Sequence, residues 1–327
     1  MFRLSLLPVY LLVFLLCACS SSSTTSLNPP IHSESIITVD GSSTVYPILK
    51  MAADAYSEES FLNGSKVAIH FSGTNRGFEK LISGEADIIG ASRPINKKEE
   101  RACRASNLEF IELLIGYDGI VLAVHPSNTW VDHITLRELQ KTWSPEAQNY
   151  ILSWKQINDQ WPDKPIHLYG PGKNSGTYDY FTETVVGSPR HSREDYTPSE
   201  DDNYLVYRLS EDSLGLGFFG YHYYTKNRKI IKAIGLDTEN IHKTVFPTDS
   251  TIRSNLYKPL SRPLFIYISK ESIERDAVKH FLNYLGERLP VFVKNSEYIE
   301  PSADQLKVII EKINKQKTGT DYHELLP

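Results

Sequence analysis

Cysteine is scarce: 327 residues contain three, at Cys17, Cys19 and Cys103. Neither a disulfide framework nor a paired Cys-x-x-Cys zinc site can be built from them. The ten histidines form no His-Glu-x-x-His pattern, so a zinc hydrolase finds no support. A basic excess is missing too. The 35 Lys+Arg face 40 Asp+Glu, a formal net charge of −5, which argues against nucleic acid as a partner. Around Ser175 the chain runs Gly172-Lys173-Asn174-Ser175-Gly176, which is not the Gly-x-Ser-x-Gly elbow of a serine hydrolase. Lys317-Thr318-Gly319 mimics one motif of penicillin-recognising enzymes, yet no serine has a lysine three residues later. The Gly172-Lys173 pair lacks the earlier glycine and following hydroxyl of a nucleotide P-loop. A hydroxyl-loop hydrolase is therefore the weaker reading, and no catalytic residue, metal or cofactor is expected.

What is present is the composition of an ordinary globular protein, 40% hydrophobic and 23% charged. The length suggests two domains, each able to bury a core. Arg3 precedes an apolar run from Leu4 to Cys17. At roughly 14 residues this run falls short of the ~20 that span a bilayer, and reads as a secretory signal. Its end, Leu16-Cys17-Ala18-Cys19, resembles the bacterial lipobox. That likeness makes residues 1–18 a signal peptide and Cys19 a lipidated mature N-terminus, with a plain signal peptide as the alternative. Residues 19–35, rich in Ser and Thr before Asn28-Pro29-Pro30, read as a flexible tether. Cys103 is then left without an intramolecular partner, as a reduced and inert thiol.

Beyond the tether, strand and helix patterns alternate, which predicts α/β layers on a largely parallel sheet. Strands are expected at Ile36–Val39, Val67–Phe71, Ala86–Gly90, Gly119–Val124, Leu216–Tyr224 and Leu264–Ile268. Pro47 opens a helix carrying Ile48, Leu49, Ala52 and Tyr56 at helical spacing. Thr135-x-x-Glu138 is a capping box ahead of a Leu136, Leu139, Trp143 stripe. Two C-terminal helices follow, with Ile273, Ala277, Phe281 and Leu285 on the first and Leu306, Ile309, Ile310 and Ile313 on the second. No internal repeat occurs and no linker interrupts the chain, which suggests lobes joined by more than one crossing.

Three segments share one design of strand, hydroxyl- and Gly-rich turn, then helix. They are Asp40 to Pro47, Ser72 to Gly77 and Gly172 to Thr177. Helix N-termini present unpaired N–H groups and partial positive charge, and Ser and Thr add hydroxyl donors. Each segment alone is equally an ordinary N-cap. Together, in open α/β order, they point to one shared oxyanion site off the carboxyl ends of the strands.

The stretches GSSTVYP, FSGTNRGFEKL, GEADIIGASRPI, YDGIVLAVHPSNTW, YGPGKNSGTYDYF, SEDDNYLVYRL and LGFFGYHYY resemble, in order, the PstS family, the phosphate-binding protein of the high-affinity phosphate ABC transporter. The resemblance implies a periplasmic-binding-protein-like fold of type II, two α/β lobes with a ligand cleft between them. Lobe 1 would take residues 36–119 and 265–327, and lobe 2 residues 120–264. It implies capture of inorganic phosphate and delivery to ABC permease subunits by an exported, lipid-anchored monomer that performs no catalysis. Carried residue by residue, the phosphate-binding positions are Ser42, Ser43 and Thr44, then Thr74 and Asn75, then Ser175, Gly176 and Thr177. Two departures stand out. Many relatives place Asp after Gly-Ala-Ser to accept the proton of hydrogen phosphate, where this chain has Arg93. Many also carry Arg four residues before the Ser-Gly-Thr serine, where this chain has Pro171. Arg93 is thus expected to supply the positive charge, since a guanidinium forks onto phosphate. Loss of the usual acceptor keeps a receptor for sulfate or molybdate open as an alternative. Asp118 is the replacement acceptor candidate, or else a turn aspartate that braces a hinge. Loss of Arg3 with the signal would leave the mature chain at −6 by the same count.

Overall fold

The computed structural model describes residues 35–59, 65–238 and 243–322. The signal, most of the tether and Cys19 lie outside the described residues. Among the described residues twelve strands alternate with helices: β1 Ser35–Gly41, β2 Ser65–Ile69, β3 Ile88–Ala91, β4 Phe110–Val124, β5 His133–Thr135 and β6 His167–Pro171. They continue with β7 Thr197–Ser199, β8 Gly215–Gly220, β9 Lys232–Ala233, β10 Gly235–Thr238, β11 Lys243–Val245 and β12 Ser261–Ser269.

The largest sheet runs β2-β1-β3-β12-β4-β8-β6-β7, with β9 also on β4. β1 is parallel to β2 and β3, while β12 inserts antiparallel between β3 and β4. β4 is the strand on which the sheet changes partners. From Phe110 to Gly119 it pairs with β12, and from Ile120 to Val124 it pairs antiparallel with β8. Its run FIELLIGYDGIVLAV is buried throughout, as a strand covered on both faces must be. β2, β1, β3 and β12 thus lie on one side of β4, along its first part, and β8, β6 and β7 follow its second part. A separate three-stranded sheet has the order β11-β10-β5.

The helix Tyr46–Glu59 buries Ile48, Leu49, Ala52 and Tyr56 as its spacing predicts, against Phe281, Leu282 and Leu285 of the helix Asp276–Asn295. The helix Ala303–Lys315 buries Ile309 and Ile313 but leaves Ile310 exposed. Fully buried Trp143 and Trp154 anchor the second core with Phe181 and Phe218. Thr135 and Glu138 form the expected reciprocal capping box on the helix Leu136–Trp143.

Several sequence expectations change. The sheet is mixed and not largely parallel, since the β3–β12, β12–β4, β4–β8 and β4–β9 pairs are antiparallel. Ile273 ends a short helix of its own, Lys270–Ile273, ahead of the helix Asp276–Asn295 that carries Ala277, Phe281 and Leu285. The strand at Gly119–Val124 begins at Phe110, because Glu112 and Asp118, which break the apolar pattern, are buried with partners. Glu112 accepts hydrogen bonds from Tyr267 Oη and Thr320 Oγ1, and Asp118 meets an arginine described below. Asp118 is therefore a mid-strand residue, not a turn. The strand at Leu216–Tyr224 ends at Gly220, and Tyr221–Asn227 is helical; a short aromatic run does not distinguish the two states. Cys103 is buried with a free thiol, and burial pushes its pKa up to about 11, away from the reactive thiolate.

Candidate functional site

The first two hydroxyl segments converge at the carboxyl end of β1. Gly41 lies at φ +114°, and a Cβ there would stand 2.2 Å from the Gly90 carbonyl oxygen. A Cβ on Gly77 would lie 2.8 Å from Gly41 Cα. The bare backbones let β1, β3 and the helix Thr74–Ser83 close together, and Ser42 N–H donates to Gly90 O at 2.8 Å. Asp40 ties the two segments. Its carboxylate accepts from Gly41 N–H at 2.7 Å, from Ser72 Oγ at 2.8 Å, and from Lys80 Nζ. Burial by itself would raise the Asp40 pKa, but the Lys80, Gly41 and Ser72 hydrogen bonds outweigh it and hold the carboxyl below its usual range.

A cavity of about 700 Å³ opens over these loops. Ser42, Ser43, Thr44, Thr74, Asn75 and Arg93 line it on one side, and Gly176 lines it on the other with Tyr180 of the helix Gly176–Phe181. Six of the residues carried over from the family thus share one space with Arg93. Ser175 and Thr177 do not line it; the Ser175 hydroxyl accepts from Thr177 N–H at 3.2 Å and caps the helix. Asp118 does not line it either. It sits behind the wall, buried, accepting from Arg262 Nε at 3.2 Å and Nη2 at 3.1 Å.

Arg93 reaches the cavity already engaged. Its guanidinium forks onto Glu99 at 2.6 and 2.9 Å and donates to Asn75 Oδ1 at 2.6 Å and to its neighbour's carbonyl, Pro94 O, at 3.0 Å. Glu99 also completes the capping box of the helix Lys97–Ala105 with Asn96. Asp87 and Glu85, the other acidic residues near it in sequence, do not pair with Arg93. Asp87 instead bonds Thr38, Ser272 and Arg275, and Glu85 receives Ser83.

Arg262 is the residue that sequence reasoning missed. It lines the cavity from β12, paired in register with Asp118 of β4, and its Nη2 donates to Thr44 Oγ1 at 2.7 Å. Its guanidinium carbon lies 3.6 Å from the Tyr180 ring centroid, and Tyr180 Oη donates to Pro259 O at 2.7 Å. A signal existed. Ser-Arg-Pro occurs at both Ser92-Arg93-Pro94 and Ser261-Arg262-Pro263. The two stand at neighbouring ends of β3 and β12, which pair antiparallel. Arg76 and Lys258 add cationic side chains to the wall, while Lys173 is paired with Glu194. Glu79, Asp179 and Glu183 also line the cavity, Asp179 paired with Arg190.

Two α/β lobes sharing crossing strands, with hydroxyl loops around a polar cavity, define a substrate-binding protein of the periplasmic type. A PBP superfamily domain matches residues 23–288. The chain is 36% identical over 316 residues to the protein SphX of Synechocystis sp., covering 96% of this chain and 90% of that one. It is 32% identical over 284 residues to the phosphate-binding protein PstS of Staphylococcus aureus, covering 84% of each. Among solved structures, a possible phosphate binding protein from Planctomyces limnophilus aligns with a TM-score of 0.81 at 36% identity, over 86% of this chain and 98% of that one. An ABC-type phosphate transport receptor from Vibrio cholerae shares the fold at a TM-score of 0.60 and 22% identity, over 81% and 100% of the two chains. The chain belongs to the PBP superfamily and, within it, to the family of PstS-like phosphate-binding proteins. It is a binding protein and not an enzyme.

Proposed function

We propose that the protein captures inorganic phosphate in the cavity between its lobes and delivers it to the permease subunits of an ABC transporter. The observation that carries this reading is the meeting of hydroxyl loops from distant parts of the chain, Ser42–Thr44, Thr74–Asn75 and Gly176, around one cavity. Ser175 and Thr177 complete the third loop and set the start of its helix. Because both lobes supply wall residues, ligand binding favours the closed arrangement, and closure is the state a permease reads. The lobes divide as residues 36–119 and 265–327 against 120–264. The protein is exported, held at a membrane through lipidated Cys19 behind a signal of residues 1–18, and works as a monomer. Among the described residues no helix is long and apolar enough to cross a membrane.

The wall favours hydrogen phosphate over sulfate or molybdate. Glu79 and Glu183 face the cavity, and a carboxylate can accept the proton of hydrogen phosphate but repels a fully ionised oxyanion. Calorimetric titration of the purified mature protein with phosphate, repeated in excess sulfate, tests the reading. Saturable phosphate binding that survives sulfate is expected. No phosphate binding, or equal affinity for sulfate, overturns it.

A further inference from the structure

The sequence offers Arg93 as the cation that grips the ligand, but counting donors leads elsewhere. A guanidinium has five N–H groups. Arg93 commits both Nη1 hydrogens to Pro94 O and Glu99, and both Nη2 hydrogens to Asn75 and Glu99. Only its Nε–H remains. The charge is matched by Glu99, and the Asn75 contact fixes the second hydroxyl loop against the helix that Glu99 caps.

Arg262 is arranged in the opposite way. Nε and Nη2 hold Asp118 and Thr44, while Nη1 has no partner among the described residues. Nη1 is not one of the buried polar atoms sealed from solvent, and the side chain lines the cavity. The side chain is only 12% exposed, and the face it does expose lines the cavity. Tyr180 stacks on the guanidinium and Asp118 braces it from behind, which fixes its plane and direction. Its contacts join a hydroxyl loop of one lobe, through Thr44, to the helix after the Ser-Gly-Thr turn of the other, through Tyr180.

We propose that Arg262, not Arg93, is the arginine that binds the oxyanion, donating both Nη1 hydrogens to it, and that Asp118 is the residue that aims it. Arg93 is a positioning residue for Asn75. This rests on the phosphate reading above and deepens it, by naming the group that determines anion recognition. Asp118 spends its charge on Arg262 and does not read the phosphate proton.

The test is phosphate calorimetry on the wild-type mature protein and four variants, each checked for fold by circular dichroism and melting temperature. Arg262→Gln alone strands a buried carboxylate, so the principal variant is Arg262→Gln with Asp118→Asn, which removes the pair without leaving a charge behind. This double variant is expected to lose phosphate affinity by about 100-fold or more, the scale of removing a buried charge-assisted pair of hydrogen bonds. Arg262→Lys keeps the charge without the fork and is expected to lose roughly tenfold. Asp118→Asn alone retains an oxygen for Arg262 and is expected to bind within about threefold of wild type or more tightly, as the uncompensated cation attracts the anion. Arg93→Gln is expected to lower the melting temperature while costing less than about fivefold in affinity, the modest effect of loosening one loop. A folded double variant that binds within threefold of wild type overturns the proposal. So does an Asp118→Asn loss as large as the double variant's, or an Arg93→Gln loss larger than it. A wild type that binds no phosphate removes the phosphate reading itself, an outcome distinct from any of these.

Discussion

Replacing Asp40 by Ala removes one carboxylate that three groups from separate elements share, and its cost can be worked from the contacts. Gly41 N–H at 2.7 Å and Ser72 Oγ at 2.8 Å donate to a buried anion, and Lys80 supplies the countercharge. Hydrogen bonds to a charged group contribute about 1.5–3 kcal/mol each. Lys80 is nearly one-third exposed and regains water when its partner leaves, so its share is small. The expected destabilisation is about 3 kcal/mol, which for a chain of this size lowers the melting temperature by roughly 5–10 °C. Because the same carboxylate registers the Ser42–Thr44 loop against Ser72, phosphate affinity is expected to fall about tenfold as the loops lose their preorganisation. The pH dependence has a definite sign. The folded pKa of Asp40 lies below the unfolded value near 3.9. The stabilisation is therefore present above the unfolded pKa and is lost as pH falls through the folded one. Denaturant titrations of wild type and Asp40→Ala should differ by a constant amount from pH 5 to 8 and converge in stronger acid. A variant within about 0.5 kcal/mol of wild type at pH 7, with unchanged phosphate affinity, would refute the claim that Asp40 couples the two loops.

Gly41→Ala is expected to destabilise by at least about 3 kcal/mol, because backbone strain adds to a Cβ driven into the Gly90 carbonyl. Gly73→Ala, at φ +93° with nothing within 4 Å of the added Cβ, is the control and should cost only the strain, about 1–2 kcal/mol by the same denaturant titration. Asp202 is buried, which raises its pKa to about 6. A raised carboxylate pKa means stability is greatest below the unfolded value and falls as pH rises through the folded one. Asp202→Asn should therefore raise the melting temperature at pH 8, by the equivalent of about 1–3 kcal/mol, with the gain vanishing by about pH 4. An equal gain at both pH values counts against burial as the cause.

Much of the architecture was legible because it is written in local periodicity. The Pro47 helix, the Thr135–Glu138 box and the C-terminal amphipathic helices depend on residues three or four apart. Where the sequence misled, the deciding partner was remote. Asp118 read as a proton acceptor for the ligand or as a turn residue until Arg262, 144 positions away, supplied its counterion within a strand pair. Tyr221 read as strand until Gly220 ended the ladder and its hydroxyl found Asp249 at 2.6 Å.

By itself, then, the sequence determined the α/β alternation, the hydroxyl loops and the family, because short-range spacing and ordered motifs carry them. Tertiary structure alone decided which arginine faces the cavity with donors to spare. Arg93 and Arg262 sit in the same tripeptide, so the motif by itself does not separate them. Glu99 lies close in sequence and occupies the first, whereas Asp118 meets the second only because β4 and β12 pair across the sheet. A guanidinium's remaining hydrogen-bonding capacity depends on every neighbour at once, and those neighbours are assembled by the fold.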